Sequence, residues 1–564
     1  MKYFYRILLI LALILSFASC KKEDQGGKKE ETKYTVSGTV KGSDGAALAG
    51  VVVSDGHLCV KTDANGQYRI SSNLDEMSYI IVTTPSLYKA PVEQGLPIFF
   101  KRKSELKKDA DGIYSNVDFV LDKIDGDPSR YTLFISADPQ PRSSSATYDN
   151  FAFHSLDCCE DLYKDWRETA ATITDRPVYG IVLGDIVHEN MTLFKKYREG
   201  LARNGYATYN VMGNHDHDLD TEGSTGGSNM IGTMSFEKNF GPRNYSMELG
   251  NIHVVVMDDI YVPYKDGKWP KGDYGTGFTE RDWQWLRNDL SLVDRSKTIM
   301  FCAHSVIFRT AGGSERGVSA ENHRSDVAHL LGKFAKCHAW FGHGHNTFNF
   351  VYPETDKYYQ YFKNVEVHMV ARSTGQLWTN EVLTAGTPRG YTIVEVNGDD
   401  VSWKFHPVRY QSSKYVGTSA KLDRSLMNFQ FEGSEGYQVA MRNGKPLDES
   451  YQMNVYGPGA YENDNYVYAN VFLWDSKWEK PVWTPDGGAS STMTLDNRNT
   501  YDWFMRKIVE HYQQTTSLGS ADYSYTKDVH TIFSAYVNPS SGIKGGTVSV
   551  TDRFGNKYST HISW

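Results

Sequence analysis

Residues 206–216 read Tyr-Ala-Thr-Tyr-Asn-Val-Met-Gly-Asn-His-Asp: an apolar, strand-like run broken by glycine and closed by an amide, an imidazole and a carboxylate. The same grammar recurs along the chain. Tyr131–Ala137 runs into Asp138-Pro139-Gln140, Val178–Leu183 into Gly184-Asp185, Thr298–Ala303 into His304, and Cys337–Phe341 into Gly342-His343-Gly344-His345. Each polar group would sit at the carboxyl end of a strand, where open α/β sheets build their active sites. Helical stretches separate the strands. Thr279-Glu280-Arg281-Asp282 would cap a helix carrying Trp283, Leu286, Leu290 and Val293 on one face, and Val327, Leu330, Leu331 and Phe334 mark a second. An antiparallel hairpin, Tyr391–Val396 and Val401–Phe405 around Asn397-Gly398, closes this α/β region.

Carboxylate, amide oxygen and imidazole without thiolate form a ligand set for divalent first-row metals, and there are donors enough for two ions. Taken singly the motifs say little: a glycine–aspartate pair is commonplace, and a lone histidine after a strand is more often a satisfied core residue. Their order, spacing and strand context carry the signal.

At 564 residues the chain is too long for one core. Its start reads as a lipoprotein signal peptide over residues 1–20: Lys2 and Arg6, an apolar run from Ile7 to Leu15, and small residues ending at Cys20. The apolar run is too short to span a bilayer. Residues 21–32 form a charged, glycine-bearing tether. The net charge of −8 becomes more negative once Lys2 and Arg6 are removed, which excludes general affinity for nucleic acid. The cysteines, Cys20, Cys59, Cys158, Cys159, Cys302 and Cys337, have no metal-like spacing and do not make a disulfide scaffold. Residues 33–125 read as a small β-domain in which Asp63-Ala64-Asn65-Gly66 is a turn rather than half a calcium loop. The core occupies residues 126–410. Residues 411–564 return to β-type alternation, with only Tyr501–Gln513 helical, and carry no recognisable chemistry.

The ordered set Asp138-Pro139-Gln140, Gly184-Asp185, Gly213-Asn214-His215-Asp216, His304 and Gly342-His343-Gly344-His345 resembles the DxH, GD, GNH[D/E], H, GHxH pattern of the calcineurin-like metallophosphoesterase superfamily. The flanking regions resemble the carboxypeptidase-regulatory-like, prealbumin-type sandwich and the β-rich C-terminal domain of its three-part bacterial lipoproteins. The resemblance implies a multidomain protein with a central α/β core, an αββα-type two-sheet sandwich, between two β-rich domains. It implies two divalent metal ions as cofactors, Mn, Fe or Zn. Asp138, Gln140 and His345 would hold the first, Asn214, His304 and His343 the second, and Asp185 would bridge them. His215 is then left to protonate a leaving alkoxide as general acid, with Asp216 holding its imidazole. Gln140 departs from the pattern, since histidine is commoner there; an amide oxygen is the harder, weaker donor and leans the first site towards Mn, Mg or Ca over Zn.

Substrate contacts are expected from His188 on the loop after Asp185, alongside Glu189 and Asn190, and from Arg309, whose guanidinium matches phosphate geometry. Loops 219–250 and 261–278 would shape the space around the phosphate. His217 and Asp218 are read as outer residues. The expected function is dinuclear metal-dependent hydrolysis of phosphate monoesters or diesters at the cell envelope. Its substrate would be a phosphorylated small molecule, lipid or glycan, and its contact with the outer membrane only the lipid anchor. The alternatives are a phosphodiesterase acting on phospholipid headgroups or glycerophosphodiesters, and a non-catalytic surface glycan-binding lipoprotein.

Overall fold

In the motif strands both faces are apolar, so each sheet they form is covered on both sides. The computed structural model describes residues 34–74, 77–142, 156–218, 232–261, 274–308, 322–373, 383–408, 450–461, 464–497, 501–506 and 529–564. The signal peptide, Cys20, the tether, Arg309 and parts of loops 219–250 and 261–278 lie outside them.

One sheet has five strands in the order Thr208–Val211, Val178–Leu183, Arg130–Ser136, Gly390–Asn397, Asp400–Pro407. Its first three strands are parallel, and the closing hairpin is antiparallel with its turn at Gly398, whose φ of 64° suits glycine. The other has six, in the order Tyr245–Leu249, Ile252–Val256, Thr298–Cys302, Lys336–Phe341, Val365–Met369, Phe348–Val351. Its four central strands are parallel and its two edges antiparallel. Parallel strands put their carboxyl ends on one rim, which is how motifs far apart in sequence meet.

Leu133, Ile135, Ile181 and Leu183 of the first sheet share one buried cluster with Val254, Val256, Met300 and Trp340 of the second. Phe134 and Val182 point the other way and pack with Trp166 and Tyr197 of the helices Leu156–Ala171 and Phe194–Ala202. Val255, Ile299, Phe301 and Ala339 likewise face Glu280–Ser291 and Arg324–Leu331. Each large side chain so buried contributes roughly 1.5–3 kcal/mol, which makes the strand rims a stiff support for a site.

The helix at Glu280 starts as expected: Thr279 Oγ1 accepts from the Asp282 amide at 3.2 Å and Asp282 Oδ2 accepts from the Thr279 amide at 3.0 Å. Its buried face includes the expected one, since Leu286 and Leu290 are buried and Trp283 and Val293 pack against the same cluster, and it extends to Trp285 and Asp289. Trp283 is only partly covered, and Val293 lies beyond the helix end at Ser291. Asp289 is buried on that face with its carboxylate bound by His253 and Ser246.

Ahead of these sheets, two four-stranded sheets pack around Val36, Val40, Val53, Ile80 and Leu121. Asp63 Oδ1 there accepts from the amides of Asn65 and Gln67, both at 2.8 Å, as a turn residue does. After them come two further four-stranded sheets, built from strands between Met453 and Ser563. This last region grips the six-stranded sheet through Glu366, which pairs with Arg553 at 2.8 Å and Lys477 at 2.5 Å. Of Tyr501–Gln513, a helical turn is described at 503–506 and residues beyond 506 fall outside the described set. Among the described residues no helix is long and apolar enough to cross a membrane.

Candidate metal centre

The chain turns sharply at the rim. Asp138, Gln140, Asp185, His343 and His345 all take positive φ, between 41° and 62°, although none is glycine. Such conformations cost on the order of 1–3 kcal/mol each and persist where the surroundings over-determine them. The motif glycines explain themselves the same way: a Cβ on Gly213 would stand 2.3 Å from Asp185 Oδ1, and one on Gly184 would stand 2.6 Å from His304 Nδ1.

Asp185 faces two ways. Its Oδ1 accepts from the His215 amide at 2.9 Å and lies 3.3 Å from His304 Nε2, while its Oδ2 accepts from Gln140 Nε2 at 2.5 Å. On the Oδ1 side, Asn214 Oδ1 lies 3.1 Å from His304 Nε2 and 2.9 Å from His343 Nδ1, and the two imidazole nitrogens are 3.2 Å apart. Donors held at ~2.1 Å from one ion stand ~3.0 Å apart in an octahedron and ~3.4 Å apart in a tetrahedron, so these spacings are those of a coordination shell. His304 is set for the part: its Nδ1–H donates to the Leu183 carbonyl at 2.7 Å, which leaves Nε2 as the nitrogen turned towards the other donors. Asp259 steadies it by accepting from the amides of His304 (3.1 Å) and Ser305 (2.9 Å).

On the Oδ2 side, Asp138 Oδ1 lies 3.4 Å from His345 Nε2, and Asp138 Oδ2 accepts from the His343 amide at 3.1 Å. Asp138, Asp185 and His345 form a second donor group of metal-binding size, sharing Asp185 with the first group, Asp185, His304 and His343. Gln140 is present too, but the Arg372 guanidinium donates to its Oε1 and, at 3.1 Å, to His345 Nδ1.

The field is negative. Burial pushes Asp138 and Asp185 up, yet both are held below the ordinary carboxylate range, Asp138 by His345 and His304 and Asp185 by His304 and His215. Burial likewise lowers His304, but Asp185 and Asp138 outweigh it and raise it to about 10. A pocket that binds a proton this firmly also favours a cation. Burial lowers Arg372 to about 10, which leaves it charged at neutral pH.

His215 lies outside both donor groups, at the rim. Its Nδ1 faces Glu189 Oε1 at 3.4 Å, and its ring stacks on His188 at 3.9 Å. Burial lowers its pKa, but Asp185 and Glu189 prevail and raise it, as a proton donor requires. The expected partner, Asp216, does not touch the ring. Its carboxylate is fully buried and accepts from the amides of Ile186 (3.0 Å), Val187 (3.0 Å) and Gly213 (2.9 Å), so Asp216 ties the two loops together, and the carboxylate that faces the His215 ring is Glu189.

His188 sits beside the centre, 2.8 Å from Arg142 Nη2. His217 is buried and bonds the Gly213 carbonyl at 2.9 Å, and Asp218 accepts from the Ser235 amide at 2.7 Å, so both support the loop. Sequence reasoning missed Arg372, Arg142 and Asp259. Arg372 had the same signal as the motifs, a polar residue after a buried strand, Val365–Met369, but arginine is no metal ligand and drew no notice.

Two family models match the chain: the N terminal of calcineurin-like phosphoesterase over residues 34–123 and the C terminal of calcineurin-like phosphoesterase over residues 368–558. No curated protein matches it. Solved structures similar to it include a purple acid phosphatase from yellow lupin (Lupinus luteus) seeds, 16% identical with a TM-score of 0.34, covering 50% of this chain and 52% of that one. The chain thus spans about half the length of the lupin protein. A dimetal phosphatase from Danio rerio is 14% identical with a TM-score of 0.34, covering 49% of this chain and 96% of that one. The calcineurin-like phosphoesterase YfkN from Bacillus subtilis is 14% identical with a TM-score of 0.28, covering 50% and 92%.

Proposed function

The chain belongs to the calcineurin-like phosphoesterase family, and from that premise we propose that it is a metal-dependent phosphohydrolase with two divalent ions at the rim of its two central sheets. The observation that carries this reading is the pair of donor groups that share Asp185, one carboxylate oxygen turned to each. Asn214, His304 and His343 complete one group; Asp138, Gln140 and His345 complete the other. When bound, such ions polarise a phosphoryl group and make water more acidic.

The chain's own residues supply the rest. His215, backed by Glu189, donates a proton to the leaving alkoxide. Arg142, held 2.8 Å from His188, is placed to meet phosphate oxygens, and Arg309, outside the described residues, is the second cation that the sequence offers for that role. The two central sheets are read as the αββα-type sandwich. Phosphorylated small molecules, lipids or glycans are the substrates that suit such a site, whether as monoesters or diesters. The Cys20 signal supports a lipid-anchored place at the cell envelope, which a Cys20→Ala variant tests: it should become soluble and stay active, and a wild-type protein already free of membranes refutes the anchor.

The test of function is chelation followed by return of Mn, Fe or Zn, with metal counting and a panel of aryl monoesters, aryl diesters, nucleotides and glycerophosphodiesters. Two equivalents per chain and metal-dependent hydrolysis are expected. Hydrolysis that persists in chelator refutes the reading. So does a fully loaded protein that cleaves no ester, a result that would favour the glycan-binding alternative.

A further inference from the structure

Arg372 is a buried arginine, 1% exposed, fixed beside the first half of the centre. It follows the strand Val365–Met369 and pairs through its backbone with Ala137, while the next residue, Ser373, donates both its amide (2.9 Å) and its hydroxyl (2.7 Å) to the Ala137 carbonyl. The backbone that carries the guanidinium is therefore fixed beside Asp138 by main-chain contacts.

Guanidinium nitrogens donate and never accept. His345 Nδ1, 3.1 Å from Arg372 Nη1, must then be the unprotonated nitrogen, and the ring proton sits on Nε2, facing Asp138 Oδ1 at 3.4 Å. His304 is held the other way round, its Nδ1–H on the Leu183 carbonyl and its Nε2 towards Asn214 Oδ1 and Asp185 Oδ1. Gln140 is fixed as decisively. Its Nε2 donates to Asp185 Oδ2 and its Oε1 accepts from Arg372, and flipping the amide would set oxygen against carboxylate and NH2 against guanidinium. In the first half, the glutamine oxygen is committed to a cation and the histidine presents a proton where an ion would need a lone pair.

Charge points the same way. One divalent ion together with the guanidinium already exceeds the two negative charges of Asp138 and Asp185. A second ion adds two positive charges in a buried site, and among the described residues these two donor groups hold no carboxylate besides Asp138 and Asp185, Glu189 lying in the adjoining group with His188 and His215.

Resting on the dinuclear reading above, we propose that Arg372 governs metal loading: it locks Gln140 and His345 in forms that do not ligate, so that ions bind in sequence. The half built from Asp185, Asn214, His304 and His343 fills first and tightly. The half built from Asp138, Gln140 and His345 fills weakly, after Arg372 has let go of both side chains.

The experiment is calorimetric titration of the full-length apo-protein with Mn2+, with bound metal counted by equilibrium dialysis. Two equivalents of separated affinity are expected. In Arg372→Met the weak equivalent should tighten by about 10- to 100-fold, the range over which partners behind the ligands move metal affinity. The tight equivalent should not change, and its persistence shows that the variant is folded. Where the methionine variant does not fold, Arg372→Lys keeps the charge and loses the planar fork, and it too should tighten the weak equivalent. Two equal equivalents in the parent, or an unaltered weak step in the folded variant, overturn the proposal. A parent that takes up no ion at all overturns the dinuclear reading itself, and this inference with it.

Discussion

His253 and His304 belong to two paired parallel strands, Ile252–Val256 and Thr298–Cys302, the one near their amino ends and the other just past their carboxyl ends. Both are buried beside carboxylates, yet they do different work. At the amino end both ring nitrogens of His253 are taken, Nδ1 by Glu248 Oε1 at 2.8 Å and Nε2 by Asp289 Oδ2 at 2.9 Å. At the carboxyl end one nitrogen of His304 goes to a carbonyl and the other faces an amide oxygen, a carboxylate and an imidazole. A histidine among acids is set to serve as a ligand when one nitrogen is held from behind and the other is turned towards donors that an ion could share. The cluster of His338, Glu366 and His368 shows the converse: donor atoms lie close together, but Arg553 and Lys477 already hold the carboxylate.

The strongest way to break this contrast is at the shared carboxylate. Asp185→Asn should strip both halves of the centre of metal and abolish hydrolysis, with the fold retained. Elemental analysis finding two full equivalents in that variant would remove Asp185 from the bridge.

Next in size is the proton donor. His215→Ala should lose on the order of 10²–10⁴ in kcat on an alkyl phosphate and far less on an activated aryl ester, whose leaving group needs no proton. Glu189→Gln should lose a smaller part of the same selective effect, and Asp216→Asn should show its damage as lowered stability on both substrates alike. Equal losses on alkyl and aryl esters in the His215 variant would make it a structural residue.

Much of the carboxyl end was legible in sequence because its chemistry is local: Gly213-Asn214-His215-Asp216 combines a glycine forced by Asp185 with donors at the strand end. Asn214, His304 and His343 come together as the motifs suggested. What was not legible depends on register across the sheets. Nothing in the spacing says that Asp216 would be used up by three amides while Glu189, four residues beyond Asp185, reached His215. The helix at Thr279 was read correctly at its cap, and the face read for it packs on the core, but the burial of Asp289 was not legible because its partner His253 stands on another element. Arg372 lies 232 residues from the glutamine it binds.

A smaller effect sharpens the contrast from the amino end. His253→Gln removes the cation between Glu248 and Asp289 and leaves Asp289 half-satisfied in the core and Glu248 with Lys297, a loss of about 3–5 kcal/mol in stability. Because His253 is far from the rim, kcat and the two metal equivalents should stay as they are. A denaturation midpoint that falls together with metal affinity would show that the two ends of the sheet are not independent.

The smallest effect is one of pH. Burial lowers the pKa of His253, but Asp289 and Glu248 outweigh it and raise it from 6.5 to about 9, and Glu248 is in turn held below its usual range with help from Lys297. A group whose pKa is raised on folding gives stability that is complete below its unfolded pKa and disappears as pH climbs through the folded one. The imidazolium therefore contributes fully at pH 6.5 and below, and its share, about 3 kcal/mol at 1.36 kcal/mol per unit, fades between pH 6.5 and 9. The parent and His253→Gln should differ most near pH 6 and converge above pH 9 when unfolding is followed by denaturant titration. Curves that stay parallel across that window would mean that His253 is neutral in the folded protein, and the carboxylates at the amino end would then need another explanation.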